Sequence, residues 1–207
     1  MARVYKHETL VELAKYSTIP VINGLCNLYH PCQILADLQT IREHKGKLKG
    51  LKLVYVGDGN NVCHSLMIGC SKMGMDVAVV CPDNYKPNTE ITKKVQEISK
   101  KLGTNFVITN DIPNGVKGAD VIYTDTWVSM GDEAQKEIRL KAFQGFTVDK
   151  KLMSYAKKDA VFMHCLPAHR GYEVSDDVID WKQSIIFDQA ENRKHAQKAV
   201  LVALMGD

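Results

Sequence analysis

Leu51-Lys52-Leu53-Val54-Tyr55-Val56-Gly57-Asp58-Gly59-Asn60-Asn61-Val62-Cys63-His64-Ser65-Leu66 decides the fold of this chain. An apolar, β-branched run meets a glycine-rich turn, and a helical pattern follows at once. A continuous apolar strand with no polar alternation is covered on both faces, as in a parallel sheet. Asn60 suits the cap of the following helix. The unit predicts the first strand, turn and helix of an α/β domain.

Outward from this unit the same alternation continues. Apolar runs predict strands at 51–56, 76–81, 105–109, 120–124, 160–164 and 184–187. Helical patterns occupy 31–44, 61–73, 89–102, 133–143, 149–157 and 191–205. Short connections between them imply an α/β, doubly wound, mainly parallel sheet with helices on both faces. The stretch from Asn110 to Gly118 reads as a loop. The first fifty residues carry two helical patterns and no clear strand. Such a sheet holds ligands outside the carboxyl ends of its strands. The segments there are polar: Gly57 to Asn61, Asp125-Thr126-Trp127, Cys165-Leu166-Pro167 and Asp188 to Arg193.

Composition removes several classes. The 207 residues are 45% apolar and 25% charged, which suits a folded globular chain rather than a disordered one. The formal charge of +3 gives no reason to expect nucleic acid or a membrane as partner. No apolar run approaches a bilayer span, and the start lacks a signal core. The cysteines at 26, 32, 63, 70, 81 and 165 form no Cys-x-x-Cys pair. They read as free thiols of a reducing cytoplasm, and no metal site is expected.

The turn Gly57-Asp58-Gly59-Asn60-Asn61-Val62 invites a dinucleotide reading. Val62 stands where the third glycine is needed, and no acid ends the second strand at the usual distance of about 20 residues. A nicotinamide oxidoreductase is therefore disfavoured. Asn61, on the first helical turn, offers an amide to a carboxylate. His30-Pro31-Cys32-Gln33 opens a helix and sets His30 and Gln33 beside unpaired N–H groups suited to an anion. Asp125 offers a carboxylate to an ammonium, and Ser129 a hydroxyl to a carboxylate. Cys165 ends a strand. Arg193, read as lying on the first turn of the last helix, suits bidentate contact with phosphate.

Together these segments resemble the ornithine carbamoyltransferase family. His-Pro-Cys-Gln, Gly-Asp-Gly-Asn-Asn, Asp-Thr-Trp-Val-Ser-Met-Gly, His-Cys-Leu-Pro and Glu-Asn-Arg stand in the family's order and approximate spacing. The resemblance implies a Rossmann-like ornithine-binding domain and the conversion of carbamoyl phosphate and L-ornithine to L-citrulline and phosphate, within arginine biosynthesis. It implies ornithine contacts at Asn61, Asp125, Ser129 and Met130. It implies carbamoyl phosphate contacts at Arg3, His30, Gln33, Cys165, Leu166 and Arg193. Cys165, Arg193 and His30 carry the catalytic assignment, with Cys165 or a nearby base helping to take the amine proton. No cofactor or metal is implied. A homo-oligomer is expected, a trimer in the complete family.

The family's Ser-x-Arg-Thr-Arg phosphate loop is absent from this sequence. The expectation is therefore a chain lacking most of the carbamoyl-phosphate domain, with little or no activity alone. Residues 1–45 would be the remnant of that domain with connecting helices. Residues 46–190 would be the ornithine-binding domain, and 191–207 a helix packing back toward the absent part. The alternative is an inactive ornithine-binding or scaffold module. Relatives of the family accept aspartate, putrescine or acetylated ornithine; Asp125 and Ser129-Met130-Gly131 suit a free α-amino acid better than putrescine. Tyr172 stands where relatives often carry an acid.

Overall fold

The computed structural model describes residues 1–128, 131 and 133–206. The elements are, in order, β1 (Ala2–Arg3), α1 (His7–Tyr16), β2 (Asn23–Leu25), α2 (Pro31–Lys45), β3 (Lys52–Val56), α3 (Asn61–Lys72), β4 (Asp76–Val80) and α4 (Thr89–Leu102). They continue with β5 (Phe106–Thr109), α5 (Ile112–Val116), β6 (Val121–Thr124), α6 (Lys136–Ala142), α7 (Lys150–Met153), β7 (Val161–His164), α8 (Asp176–Ile179) and α9 (Ile186–Met205).

Five strands form one parallel sheet in the order β5-β4-β3-β6-β7. The order reverses at β3, so the crevice between the ends of β3 and β6 is the place for a ligand. Side chains alternate between two cores. Leu53 and Tyr55 point to the face packed by α2, α3 and α4, whereas Val54 and Val56 point to the face carrying Leu152, Met153, Val178 and Ile179. Both faces are dry, which is why the strands read as unbroken apolar runs. Helix starts follow local chemistry: Asn60, Asn88, Asp111 and Asp149 each accept backbone N–H groups at the helix they open. Gly103, at φ +70, ends α4 in the left-handed conformation that glycine tolerates.

Four expectations are corrected. Segment 184–187 is no strand: Ser184 makes one bridge to Phe162, and α9 begins at Ile186. Its β-branched run is explained by burial, because Ile186 joins the second core. The first fifty residues do hold strands, β1 and β2, which pair in parallel and lie outside the main sheet. The supposed loop at 110–118 contains α5, capped by Asp111. The helix expected over 149–157 spans only Lys150–Met153.

Candidate active site

Two polar clusters stand out, one at the ends of β3, β6 and β7 and one at the start of α2. The first is acidic. Asp125, just past β6, is buried and accepts from Asn60 Nδ2 at 2.8 Å, Cys165 Sγ at 3.0 Å and its neighbour Thr126 N at 2.8 Å. Asn60 thus does two things. Its Oδ1 caps α3, accepting from Val62 N and Cys63 N, while its amide nitrogen reaches across the β3–β6 crevice. Asn61 Nδ2 donates to Cys26 O at 2.8 Å, which ties the segment before α2 to the start of α3. Leu166 follows Cys165 at φ 58, an uncommon conformation for a leucine. Ser129 and Met130, expected beside Asp125, lie outside the described residues.

The acid bears on the thiol. Burial pushes Cys165 well above the usual thiol range, and the Asp125 charge and hydrogen bond add to this, against a smaller opposing bond from Tyr123. Cys165 is a neutral thiol that donates, so the structure disfavours it as the base that removes the amine proton.

The second cluster is basic and surrounds the start of α2. His30 is buried at the cap, with its N–H on Ser65 Oγ at 2.8 Å. Burial, then the Arg193 and Arg3 charges, lower its imidazole to about 4, so it is neutral. Among the described residues, its buried Nδ1 has no partner. Gln33 accepts from Arg193 Nη1. Arg3 is exposed at the end of β1. Arg193 is the eighth residue of α9, not on its first turn, because α9 starts earlier than the sequence suggested. It reaches the cluster from the side of the helix, next to the N-terminus of α2.

A cavity of about 270 Å³ opens one residue beyond Asp125, lined by Thr126, Trp127, Lys136, His169, Tyr172 and Glu173. Tyr172 stacks on His169 and lies under the Lys136 ammonium. On the other side, Arg139 Nη1 bridges Asp58 Oδ2 at 2.7 Å and Trp127 O at 3.1 Å. This buried pair ties α6 to the turns after β3 and β6.

Residues 49–204 match the family description "Aspartate/ornithine carbamoyltransferase, Asp/Orn binding domain", and residues 1–43 match "Aspartate/ornithine carbamoyltransferase, carbamoyl-P binding domain". The chain belongs to the aspartate/ornithine carbamoyltransferase family. The ornithine carbamoyltransferase of Oceanobacillus iheyensis is 56% identical over all of this chain and 64% of its own length. The ornithine carbamoyltransferase structure from Pyrococcus furiosus superposes with a TM-score of 0.96 at 57% identity, covering 100% of this chain and 66% of that one. The Gloeobacter violaceus structure gives 0.92 at 46% identity, covering 99% and 68%. The chain thus spans slightly under two thirds of the first curated relatives it matches.

This chain departs from a dinucleotide site in a physical way. A Cβ on Gly59 would stand 2.3 Å from Pro87 N and 2.5 Å from Lys86 C. The space that a pyrophosphate needs beside the second glycine is filled by the protein's own backbone. Asp125, His164 and Cys165 bring three possible metal ligand atoms within 4.8 Å of one another. His164 is committed elsewhere: Nδ1 accepts from Leu166 N at 2.8 Å, and Nε2 faces Glu173 at 3.2 Å.

The sequence reading missed Asp37, Tyr123 and Gln189, which join the two clusters from behind. A usable signal was the Gln33–Asp37 spacing, one helical turn apart. Gln189 lay hidden in the connection between the supposed last strand and helix.

Proposed function

We propose that the chain supplies the ornithine-binding part of a carbamoyltransferase that converts carbamoyl phosphate and L-ornithine to L-citrulline and phosphate. One observation carries the reading: the buried acid Asp125 holds the Cys165 thiol at one strand end, and a hydrogen-bond chain from His164 through Gln189, Asp37 and Gln33 connects that strand end to Arg193, whose charge and that of Arg3 bear on neutral His30. An amino-acid ammonium suits the acid, and an oxygen-rich phosphate suits the cations. Asn61, Ser129 and Met130 complete the ornithine contacts; Gln33, Cys165 and Leu166 complete those to carbamoyl phosphate.

In the reaction the neutral δ-amine attacks the carbamoyl carbon, forming the C–N bond. The carbonyl oxygen gains negative charge, which Arg193 and neutral His30 stabilise as donors. The bond between the carbamoyl carbon and the phosphate oxygen then breaks, the electron pair leaves with phosphate, and the departing phosphate takes the proton that the amine loses. Asp125 holds the Cys165 thiol and takes no part in covalent steps. No cofactor enters these steps. Residues 1–45 go with the carbamoyl-phosphate part, 46–190 with the ornithine part, and 191–207 return toward the former. Six free thiols suit the cytoplasm. Among the described residues no helix is long and apolar enough to cross a membrane.

Calorimetry with L-ornithine and putrescine, joined to a citrulline assay, tests the reading. Ornithine should bind at least about tenfold more tightly than putrescine, which lacks the α-carboxylate. Turnover by these 207 residues alone should fall far below the common range of about 1–1000 per second, because the Ser-x-Arg-Thr-Arg donors are not in them. Equal affinity for both diamines sinks the amino-acid assignment.

A further inference from the structure

Asp37 is fully buried where α2, β6 and α9 meet, and no step above uses it. Its Oδ1 accepts from Gln33 Nε2 at 2.9 Å and from Gln189 Nε2 at 2.8 Å. Its Oδ2 accepts from the Tyr123 hydroxyl at 3.1 Å, and Gln189 Nε2 also donates to that hydroxyl at 3.0 Å. The far ends of both amides face the site. Gln33 Oε1 accepts from Arg193 Nη1, and Gln189 Oε1 accepts from His164 N at 3.0 Å, one residue before Cys165.

The bonds of the two amides to Asp37 Oδ1, Arg193 and His164 N each have one permitted direction. A carboxylate only accepts, and a guanidinium or backbone N–H only donates. Both amides must therefore turn NH2 toward Asp37 and C=O toward the site. Reversing either would set donor against donor at one end and acceptor against acceptor at the other, inside a dry core. We propose that Asp37 is a positioning residue: its Oδ1 sets the direction of the Gln33 and Gln189 amides, and through them holds Arg193 at the anion end and the His164–Cys165 strand end beside it. The proposal rests on reading Arg193 as an anion ligand.

The titratable and charged groups facing Asp37 are Tyr123 from β6, Arg193 from α9, Cys70 from α3 and Cys165 beyond β7. Burial pushes the Asp37 carboxyl up to about 7, against the pull of its three donors and Arg193. A proton on Oδ2 is given to the Tyr123 oxygen, and Oδ1 goes on accepting both amides. The positioning therefore survives titration. Asparagine reproduces it with its amide oxygen toward the glutamines, and alanine does not.

The test uses the 207-residue chain as wild type, Asp37→Asn, Asp37→Ala, Gln33→Leu and the Asp37→Ala/Gln33→Leu double variant. NMR reads the rotation of the Arg193 guanidinium and the solvent exchange of the Gln33 and Gln189 side-chain amides, with no ligand present. Calorimetry reads the affinity for sulfate, which keeps its charge across neutral pH. In Asp37→Ala, Arg193 rotation and Gln189 exchange should speed up, and sulfate should bind about tenfold more weakly, as expected for a lost buried acceptor. Asp37→Asn should restore all three to within about twofold, and the double variant should bind sulfate no more weakly than Gln33→Leu. Unchanged Arg193 rotation in a folded Asp37→Ala, or no rescue by a folded Asp37→Asn, overturns the proposal. Should Asp37→Ala not fold, freely exchanging Gln33 and Gln189 amides in the wild type overturn it equally. A wild type that binds no sulfate counts against the anion reading alone, and the NMR comparison still decides the Asp37 assignment.

Discussion

Two buried residues two turns apart on one helix pull the protein's acid stability in opposite directions. His30 titrates near 4 when folded and near 6.5 otherwise. Between those values the unfolded chain holds the proton and the folded chain does not, so stability falls as the pH falls. Asp37 titrates near 7 when folded and near 3.8 otherwise. There the folded chain holds the extra proton, so stability falls as the pH rises from about 4 to 7. Each effect is on the order of 3 kcal/mol, and over the shared window they largely cancel. Asp37→Asn removes one of them. Its melting temperature should drop more steeply than wild type between pH 6.5 and 4.5 in calorimetry; parallel curves would show that Asp37 is not the raised, desolvated carboxyl described. Asp125 gives a second test. Asp125→Ala should cost at least about tenfold in ornithine affinity, through a lost charge-assisted bond. Lys93→Ala should change little, since Lys93 is exposed and, among the described residues, pairs with Glu90 across one turn. Similar affinities for both variants in titration calorimetry would refute the role given to Asp125.

At the scale of elements, polar contacts join α9 to α2. Asn192 Nδ2 donates to Thr40 Oγ1 at 2.9 Å and Glu43 Oε2 at 2.6 Å, and its Oδ1 accepts from Gln39 Nε2 at 3.0 Å. Asn192→Ala should lower unfolding free energy in urea by about 1–3 kcal/mol, because it strands the buried Thr40 hydroxyl and the half-buried Gln39 amide. Glu191→Ala, exposed one residue away, should stay within about 0.5 kcal/mol. A loss at Asn192 no larger than at Glu191 would mean that the seam is not sealed from water. This helix also marks the limit of sequence reading. The five strands of the sheet were legible because strands buried on both faces are written as apolar runs, and α3 was legible from its Asn60 cap. Ile185-Ile186-Phe187 carries the same β-branched signal, yet only one bridge forms there, at Ser184. Placing a strand there delayed the helix and hid Gln189. The Asp37–Gln189 bond joins positions 152 residues apart, and Asp37 by itself reads as an ordinary helix acid. The clusters at the strand ends were legible from their motifs; the polar network behind them exists only once α2 and α9 are laid together.

For the whole molecule, apolar surface gathers toward both termini. Val202 and Met205 on α9, with Val11 and Tyr16 on α1, are all more than half exposed. Patches of this kind recruit other surfaces. Sedimentation velocity should show mass rising with concentration for the wild type, and a monomer for the Val202→Glu/Met205→Glu variant. A sharp wild-type monomer at all concentrations would remove the argument for association and, with it, the support for a homo-oligomer built through these helices. The interior has a different consequence. Cys63 and Cys70 on α3, and Cys81 at the end of β4, are wholly buried, and burial pushes all three thiols above their usual range, Cys81 to about 12. A thiol that is both shielded and protonated meets an alkylating reagent only when its surroundings part. These cysteines are therefore clocks set between α3 and the central sheet: the rate at which each takes up label counts how often that part of the protein breathes open.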